Sequence, residues 1–282
     1  MTTTPHSNVQ EARRALGRRL REIRQDAGIT ARALAKAAGW HESKCSRIEN
    51  GRTPPSSEDI RAYTLLCAAE RQTDDLIATA RDIRRTYVEW RRLERSGLKH
   101  AQESVVPVWD RTRRFRFYSS WLIPGPLQTR AYIRALLTAI RDRRGLVDDL
   151  DEAVEVRLGK QQVIHSDRTF SILLEESVLR TRIGTAETMA GQLGHLIAVS
   201  TLPAVSLGVI PLAADRSQLW PTEGFFMFDD DLVNVELVSA HLTITQPHEV
   251  GMYARTFADL ATMAVYGSDA RSLITAAIDA VG

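Results

Sequence analysis

Between residues 28 and 55 the chain meets four helix-stopping signals in quick succession: Gly28, Gly39, Asn50-Gly51 and the pair Pro54-Pro55. The segments between them fall below the roughly 12–15 residues at which an isolated helix is marginal in water, so they fold only by packing on one another. The apolar spacing indicates how. Leu16, Leu20, Ile23 and Ala27 recur at intervals of four, three and four, one stripe on a helix over Ala12–Ala27. Gly28 stops that helix, Thr30 is placed to cap the next, and Ala31, Leu34, Ala35 and Ala38 form its inward side. Small alanines let two helices approach closely. Gly39 makes the turn, Trp40 packs behind it, and a third helix runs from about His41 to Glu49. The prolines forbid its continuation, and Ser57 caps a fourth helix carrying Ile60, Tyr63, Leu66 and Cys67.

Two stretches, Gly28-Ile29-Thr30-Ala31-Arg32-Ala33-Leu34-Ala35-Lys36-Ala37-Ala38-Gly39-Trp40 and Ser46-Arg47-Ile48-Glu49-Asn50-Gly51-Arg52-Thr53-Pro54, resemble the phage-repressor-like (xenobiotic-response-element type) helix-turn-helix family over residues 12–70. The resemblance implies that the third helix lies in the major groove of double-stranded DNA with its early residues at base edges. By register Glu42, Ser43 and Arg47 then face bases, with Glu accepting from cytosine and Arg forking onto guanine. Thr30, Arg32, Lys44, Asn50 and Arg52 meet phosphate. Family members often hold an ion pair between the first and third helices, which falls here on Arg24 and Glu49. Position 31, often a phosphate-contacting Gln in that family, is Ala31.

Charge is divided along the chain. Residues 1–120 hold 24 Lys/Arg against 15 Asp/Glu, a net of +9, and residues 121–282 hold 13 against 20, a net of −7. A basic front joined to an acidic rear fits a polyanion-binding module attached to a domain kept off the polyanion. The two cysteines, Cys45 and Cys67, sit in core-like stretches and read as reduced thiols, in keeping with a cytoplasmic, nucleoid-associated protein. No run approaches 18 apolar residues, so no membrane partner is expected. The polar start, Met1 to Asn8, reads as a frayed tail.

From Asp74 to about Leu98 the chain is charged and lacks proline, with Leu76, Ala80, Ile83, Tyr87 and Trp90 spaced as a helical seam. That seam packs either on the chain's own second domain or on a second copy. Arg84, Arg85, Arg91, Arg92 and Arg95 read as a solvated face of the same helix. Further on, Pro107-Val108-Trp109 and Arg111–Trp121 read as irregular or short extended pieces. Leu127-Gln128-Thr129 leads into a helix through Ile140, and further helices are expected at Asp148–His165, Ala186 to Ser200, Pro247 to Tyr266 and Ser268 to Ala280. Strands are expected at Phe170–Glu175, Val205–Ile210, Phe225–Phe228, Leu232–Leu237 and His241–Thr245. The expected fold class is a mainly α helix-turn-helix domain (1–70), a helical connector (71–100) and a mixed α/β C-terminal domain (101–282) for regulation or partner binding.

Ile123-Pro124-Gly125-Pro126-Leu127-Gln128-Thr129-Arg130-Ala131-Tyr132, Arg157-Leu158-Gly159-Lys160-Gln161, Glu175-Glu176-Ser177-Val178-Leu179-Arg180 and Gln192-Leu193-Gly194-His195-Leu196 together resemble actinobacterial regulators of the WhiJ type, also described as antitoxin-like. Members commonly show Pro-Gly-Leu-Leu-Gln-Thr, from which Pro126 departs. The resemblance implies transcription control beside a small partner protein and supplies no ligand.

No nucleophile elbow, phosphate loop, metal-spaced His/Cys set or His-Glu-x-x-His helix is present, so neither an enzyme nor a cofactor or metal is expected. Glu175 and Glu176 point to opposite sides of a strand; one is expected to be buried against Arg157 or Arg180 and the other solvated. Trp121, Tyr132, Trp220, Phe225 and Phe226 are either core or pocket; a pocket would lie near Gln128, Arg157, Gln192 and the Trp220–Phe226 loop. The functional expectation is a homodimeric regulator reading a palindromic operator, its C-terminal domain sensing a small molecule or protein. The alternative is an antitoxin-like protein that sequesters a small partner and autoregulates.

Overall fold

The computed structural model describes residues 5–90 and 94–281, in two compact units that divide after Val88. The first unit consists of five helices: α1 (Pro5–Asp26), α2 (Ala31–Ala37), α3 (Glu42–Glu49), α4 (Ser57–Leu66) and α5 (Thr73–Thr86). Its core is built from the predicted stripes: Leu16, Leu20 and Ile23 meet Leu34, Ala35, Cys45, Ile48, Ile60 and Tyr63, all buried. Both cysteines are free and buried.

Three boundaries differ from expectation. Helix α1 begins at Pro5, so Pro5 to Asn8 are helical rather than a frayed tail. His41 is the N-cap of α3 instead of its first residue, its Nδ1 accepting from the Ser43 amide at 3.3 Å. Ser56, not Ser57, caps α4, because Asp59 three residues on completes a reciprocal capping box.

The connector is shorter than its periodicity suggests. Helix α5 ends at Thr86, and Leu76, Ile77, Ala80 and Ile83 are buried, packing α5 on α1 and α4 within the first unit. Tyr87–Glu89 then turns extended as β1, and the Trp90 indole donates to the Leu237 carbonyl at 2.8 Å. Sheet pairing overrides a helical pattern there, since an aromatic followed by a β-branched residue suits a pleated strand. Arg91 and Arg92 lie outside the described residues, as do the side chains of Arg84, Arg85, Tyr87 and Arg95.

A glycine that sequence reading passed over sets the approach of α1 to α3. A Cβ at Gly17 would stand 2.6 Å from the Glu49 carbonyl oxygen and 2.7 Å from that of Ile48. Backbone cannot swing aside as a side chain can. Gly17→Ala is expected to destabilise the first unit by about 1–3 kcal/mol through overpacking, despite alanine's better helix propensity. Hydrogen exchange of α1 and α3 amides checks this; slower exchange in the variant contradicts it.

The second unit is a seven-stranded sheet in the order β1-β7-β6-β5-β2-β3-β4. Its strands after β1 are β2 (Arg114–Ser119), β3 (Thr169–Glu175), β4 (Val205–Ile210), β5 (Phe225–Phe228), β6 (Leu232–Glu236) and β7 (Ala240–Ile244). β2, β3 and β4 run parallel, and β5, β6 and β7 continue antiparallel from β2. Short helices α6 (Leu98–Glu103) and α7 (Val106–Arg111) precede β2, where sequence reading expected irregular chain. The β2-to-β3 crossover holds α8 (Arg130–Arg144) and α9 (Leu150–Gln161), and β3-to-β4 holds α10 (Glu176–Arg180) and α11 (Ala186–Val199). α12 (Pro247–Thr262) and α13 (Gly267–Asp279) close the chain.

The two sheet faces are distinct. Phe115, Phe117, Phe170, Ile172 and Leu174 point to a core shared with Tyr132, Met189, Leu193 and Ile274, on α8, α11 and α13. Phe115 and Phe170, paired in register, stack with centroids 4.5 Å apart. Tyr118 and Phe225 point the other way, where Phe225 meets Tyr253 and Phe257 of α12. A smaller cluster of Leu98, Ile133, Leu137, Ala153 and Val154 seats α9 against α8 and α6.

Candidate nucleic-acid interface

Helix α3 sorts its side chains by face. Cys45, Ile48 and Glu49 are buried, while Ser46, Arg47 and Asn50 are exposed and Ser43 is half-buried. Ser43 Oγ lies 2.9 Å from the capping His41 Nδ1, which fixes the start of the helix. Arg47 and Arg52 are exposed, and among the described residues neither makes a side-chain hydrogen bond or ion pair. The side chain of Glu42, expected at a base edge, lies outside the described residues.

Glu49 is the hub that orients this helix. Its carboxylate accepts from Arg24 Nε at 2.6 Å and Nη2 at 2.9 Å, a two-pronged contact from α1. Arg21 Nε adds a bond at 3.0 Å, and Cys45 Sγ and Tyr63 Oη each donate at 3.2 Å. Burial pushes the Glu49 carboxyl up, but hydrogen bonds from Arg24, Cys45 and Arg21 outweigh it and hold it below its ordinary value. The Tyr63 hydroxyl is driven up, first by burial and then by its contacts with Cys45 and Glu49. Arg21 is a partner that sequence reading missed, although its position three residues before Arg24 puts both on one face of α1.

Two residues expected at phosphate are engaged within the fold. Lys44 Nζ lies 2.6 Å from Asp59 Oδ1 and 4.6 Å from the Trp40 ring centroid, tying α3 to α4. Asn50 donates to the Ser46 carbonyl at 2.8 Å and accepts from Arg21 Nη2 at 2.8 Å. Thr30 is likewise employed as the N-cap of α2, its Oγ1 accepting from the Ala33 amide at 3.1 Å. Arg32 on α2 and Arg52 after α3 are exposed, as Arg47 is.

In the second unit the five residues expected around a pocket separate into three places. Gln192 is buried and fixed: Oε1 accepts from the Thr129 amide at 2.7 Å and Nε2 donates to the Leu127 carbonyl at 2.6 Å. Phe225 is buried on the α12 side of the sheet, and Trp220, 62% exposed, lies in the segment before β5. Strand alternation is the reason: Phe225 and Phe226 necessarily face opposite sides. Gln128 and Arg157 stay together, with Gln192 bonded to the residues on either side of Gln128. Arg157 Nε and Nη2 stand 3.8 Å from where a Cβ of Gly125 would be. Gln161, one turn beyond Arg157, donates to the Gly125 and Gln128 carbonyls at 2.6 and 2.7 Å.

Glu175 and Glu176 are both buried, against the expectation that one would be solvated. Glu175 accepts from Tyr118 Oη at 2.8 Å and pairs with Arg216, while Glu176 pairs with Arg180 and accepts from the Leu212 amide, each at 3.0 Å. No group of three His, Cys, Asp or Glu suited to a metal occurs among the described residues, and none of their helices is long and apolar enough to cross a membrane.

Comparison with known proteins follows the same division. Residues 15–76 match a family described as a helix-turn-helix domain, the module with which many DNA-binding regulators enter the major groove. Residues 108–276 match a family described as a domain of unknown function, DUF5753. No curated protein matches. Among solved structures, that of TrmBL2, an archaeal chromatin protein with a novel mode of DNA binding, is similar at 10% identity and a TM-score of 0.33. The aligned part covers 73% of this chain and 65% of that one, so this chain spans about two thirds of that protein. Since the match over residues 108–276 takes in more than half of its length, the chain belongs to the DUF5753 family and carries a helix-turn-helix domain ahead of the family domain.

Proposed function

We propose that this chain is a sequence-specific, DNA-binding transcriptional regulator that works as a homodimer, α3 entering the major groove and the second unit receiving a small-molecule signal. The observation that carries the reading is the exposed Arg47, without a side-chain partner among the described residues, on the outer face of a short helix whose inner face is locked by Glu49. A guanidinium held on a rigid rod can fork onto guanine O6 and N7, and Ser43 one turn earlier can reach an adjacent base. Arg32 and Arg52 supply phosphate contacts, which give affinity and register without sequence information. A single module of this size buries little surface, so two copies reading half-sites about 34 Å apart fit a palindromic operator. In this reading the second unit acts without turnover. Coupling its signal to DNA requires a ligand that binds two states of the dimer unequally.

The test is selection of duplexes from a random pool by the full chain, followed by titration over a range of salt. A preferred sequence with two-fold symmetry is expected. Arg47→Ala should lower affinity for the selected duplex by about 10- to 100-fold and relax preference at one position of each half-site. Arg52→Ala should weaken all duplexes alike and reduce the salt slope by about one. A pool that yields no preferred sequence, or a footprint unchanged by Arg47→Ala, overturns the proposal.

A further inference from the structure

The polar groups that Arg157 faces form a site of their own. Helix α9 presents Arg157, Lys160 and Gln161 on one side, because spacings of three and four share a helical face. Opposite them β6 ends in Glu236, and Asn234, two residues earlier, lies on the same face of the strand. The turn Gly125–Gln128 makes a third wall, held to α9 by Gln161.

Four features of these walls point to a ligand. Arg157 makes no hydrogen bond or ion pair among the described residues, although burial is strong enough to pull its guanidinium below the ordinary value. Burial, followed by the charge of Arg157, lowers Lys160 to about 7; two of its donors are taken by Gln102, at 2.9 and 3.2 Å. Glu236 is exposed at the end of β6, within electrostatic reach of Arg157, Arg144 and Lys160. Finally, Asn234 and Gln128 are 6% and 1% exposed, and the side-chain carbonyl oxygen of each has no hydrogen-bond partner. Buried acceptors left empty cost about 1–3 kcal/mol each, so folds rarely retain them without use.

Charge and shape define the occupant. Glu94, paired with Arg144, and Glu236 are the acidic groups here, and Arg144, Arg157 and Lys160 the basic ones, three against two. Phe226, half-buried and opposite Asn234 in register, offers an apolar side, and Trp109 lies beneath Lys160 with its ring centroid 5.8 Å from Nζ. We propose that these three walls enclose a recess that binds a small organic hydroxy acid with an apolar body. Its carboxylate bridges Arg157 and Lys160, and its hydroxyl donates to Asn234 or Gln128. The inference deepens the reading of the second unit as a sensor and rests on it for regulatory meaning, though not for binding itself.

The test uses the full chain without DNA. Thermal shift and tryptophan fluorescence are recorded with aliphatic and aromatic hydroxy acids, 4-hydroxybenzoate among them, each beside its uncharged amide. At least one acid should bind saturably in the millimolar range or tighter while its amide does not. Arg157→Gln and Lys160→Met should each weaken that acid at least tenfold, and Arg271→Ala, remote from these walls, should leave it unchanged. Circular dichroism melts establish that the variants fold; where Arg157→Gln does not, Lys160→Met decides alone. No acid binding at millimolar concentration, amides binding equally well, or folded variants retaining full affinity overturns the site. Binding that leaves duplex affinity untouched upholds the recess and removes its sensing role, and loss of duplex selectivity in Arg47→Ala has no bearing on it.

Discussion

Replacing Glu49 with alanine is expected to destabilise the helix-turn-helix unit by about 3–5 kcal/mol, the range found when one partner of a buried ion pair is removed. The alanine leaves Arg24, only 8% exposed, without its counter-charge and strips an acceptor from Arg21, Cys45 and Tyr63 together. Amides of α1 and α3 should exchange roughly 100- to 4,000-fold faster, since each 1.4 kcal/mol is a factor of ten. Joint replacement, Arg24→Met with Glu49→Leu, should recover most of the loss, because apolar groups of similar volume leave no charge to desolvate. Acidification makes the same point without mutation. The folded carboxyl of Glu49 lies below its unfolded value of about 4.3, so its contribution is complete above that pH and disappears as pH falls through the folded value. Unfolding of the first unit should steepen below about pH 4 in the wild type and flatten in the double variant. A single variant as stable as the wild type at neutral pH sinks this account of α3 orientation.

How far such features can be read from sequence depends on their range along the chain. Stripes such as Leu16, Leu20 and Ile23 repeat within a turn or two, and the helices they mark form where expected. Strands Val205–Ile210 and Phe225–Phe228 were equally legible as short apolar runs bounded by breakers. The connector was not, because the spacing that suggests a seam through Trp90 is overridden at Tyr87 by a sheet whose other strands begin far along the chain. The surface proposed to face DNA was partly legible. Arg47 could be placed by register alone, but the capture of Lys44 by Asp59 and of Asn50 by Arg21 depends on helices meeting in space. In the second unit, Trp220 and Phe225 were grouped with Gln128 by proximity of motif, and strand alternation separates them. Lys160 offered a usable signal in Arg157-Leu158-Gly159-Lys160-Gln161, where helical spacing already puts three polar side chains together. Glu236 offered none: only the order β6-β5-β2 brings it toward α9.

Gln192→Leu is expected to loosen the turn that forms one wall of the recess. The substitution keeps most of the volume but leaves the Leu127 carbonyl and the Thr129 amide unpaired, at about 1–3 kcal/mol for each orphaned group. Because Gln192 is fully buried and α11 is packed tightly around it, water cannot readily replace its amide. A total of about 2–6 kcal/mol should therefore appear in denaturant unfolding followed at the second unit, with fastest exchange at the start of α8, whose first turn Thr129 caps. The first unit, which shares no part of this network, should keep its own exchange pattern. The consequence for function follows from position. Gln128 and Gly125 belong to the same turn, so the variant should weaken hydroxy-acid binding while retaining Arg157 and Lys160 intact. If stability falls and acid affinity is unaltered, the turn is scaffold alone and the acceptor on Gln128 plays no part in recognition. If neither changes, the buried amide of Gln192 is not what holds the turn against α11.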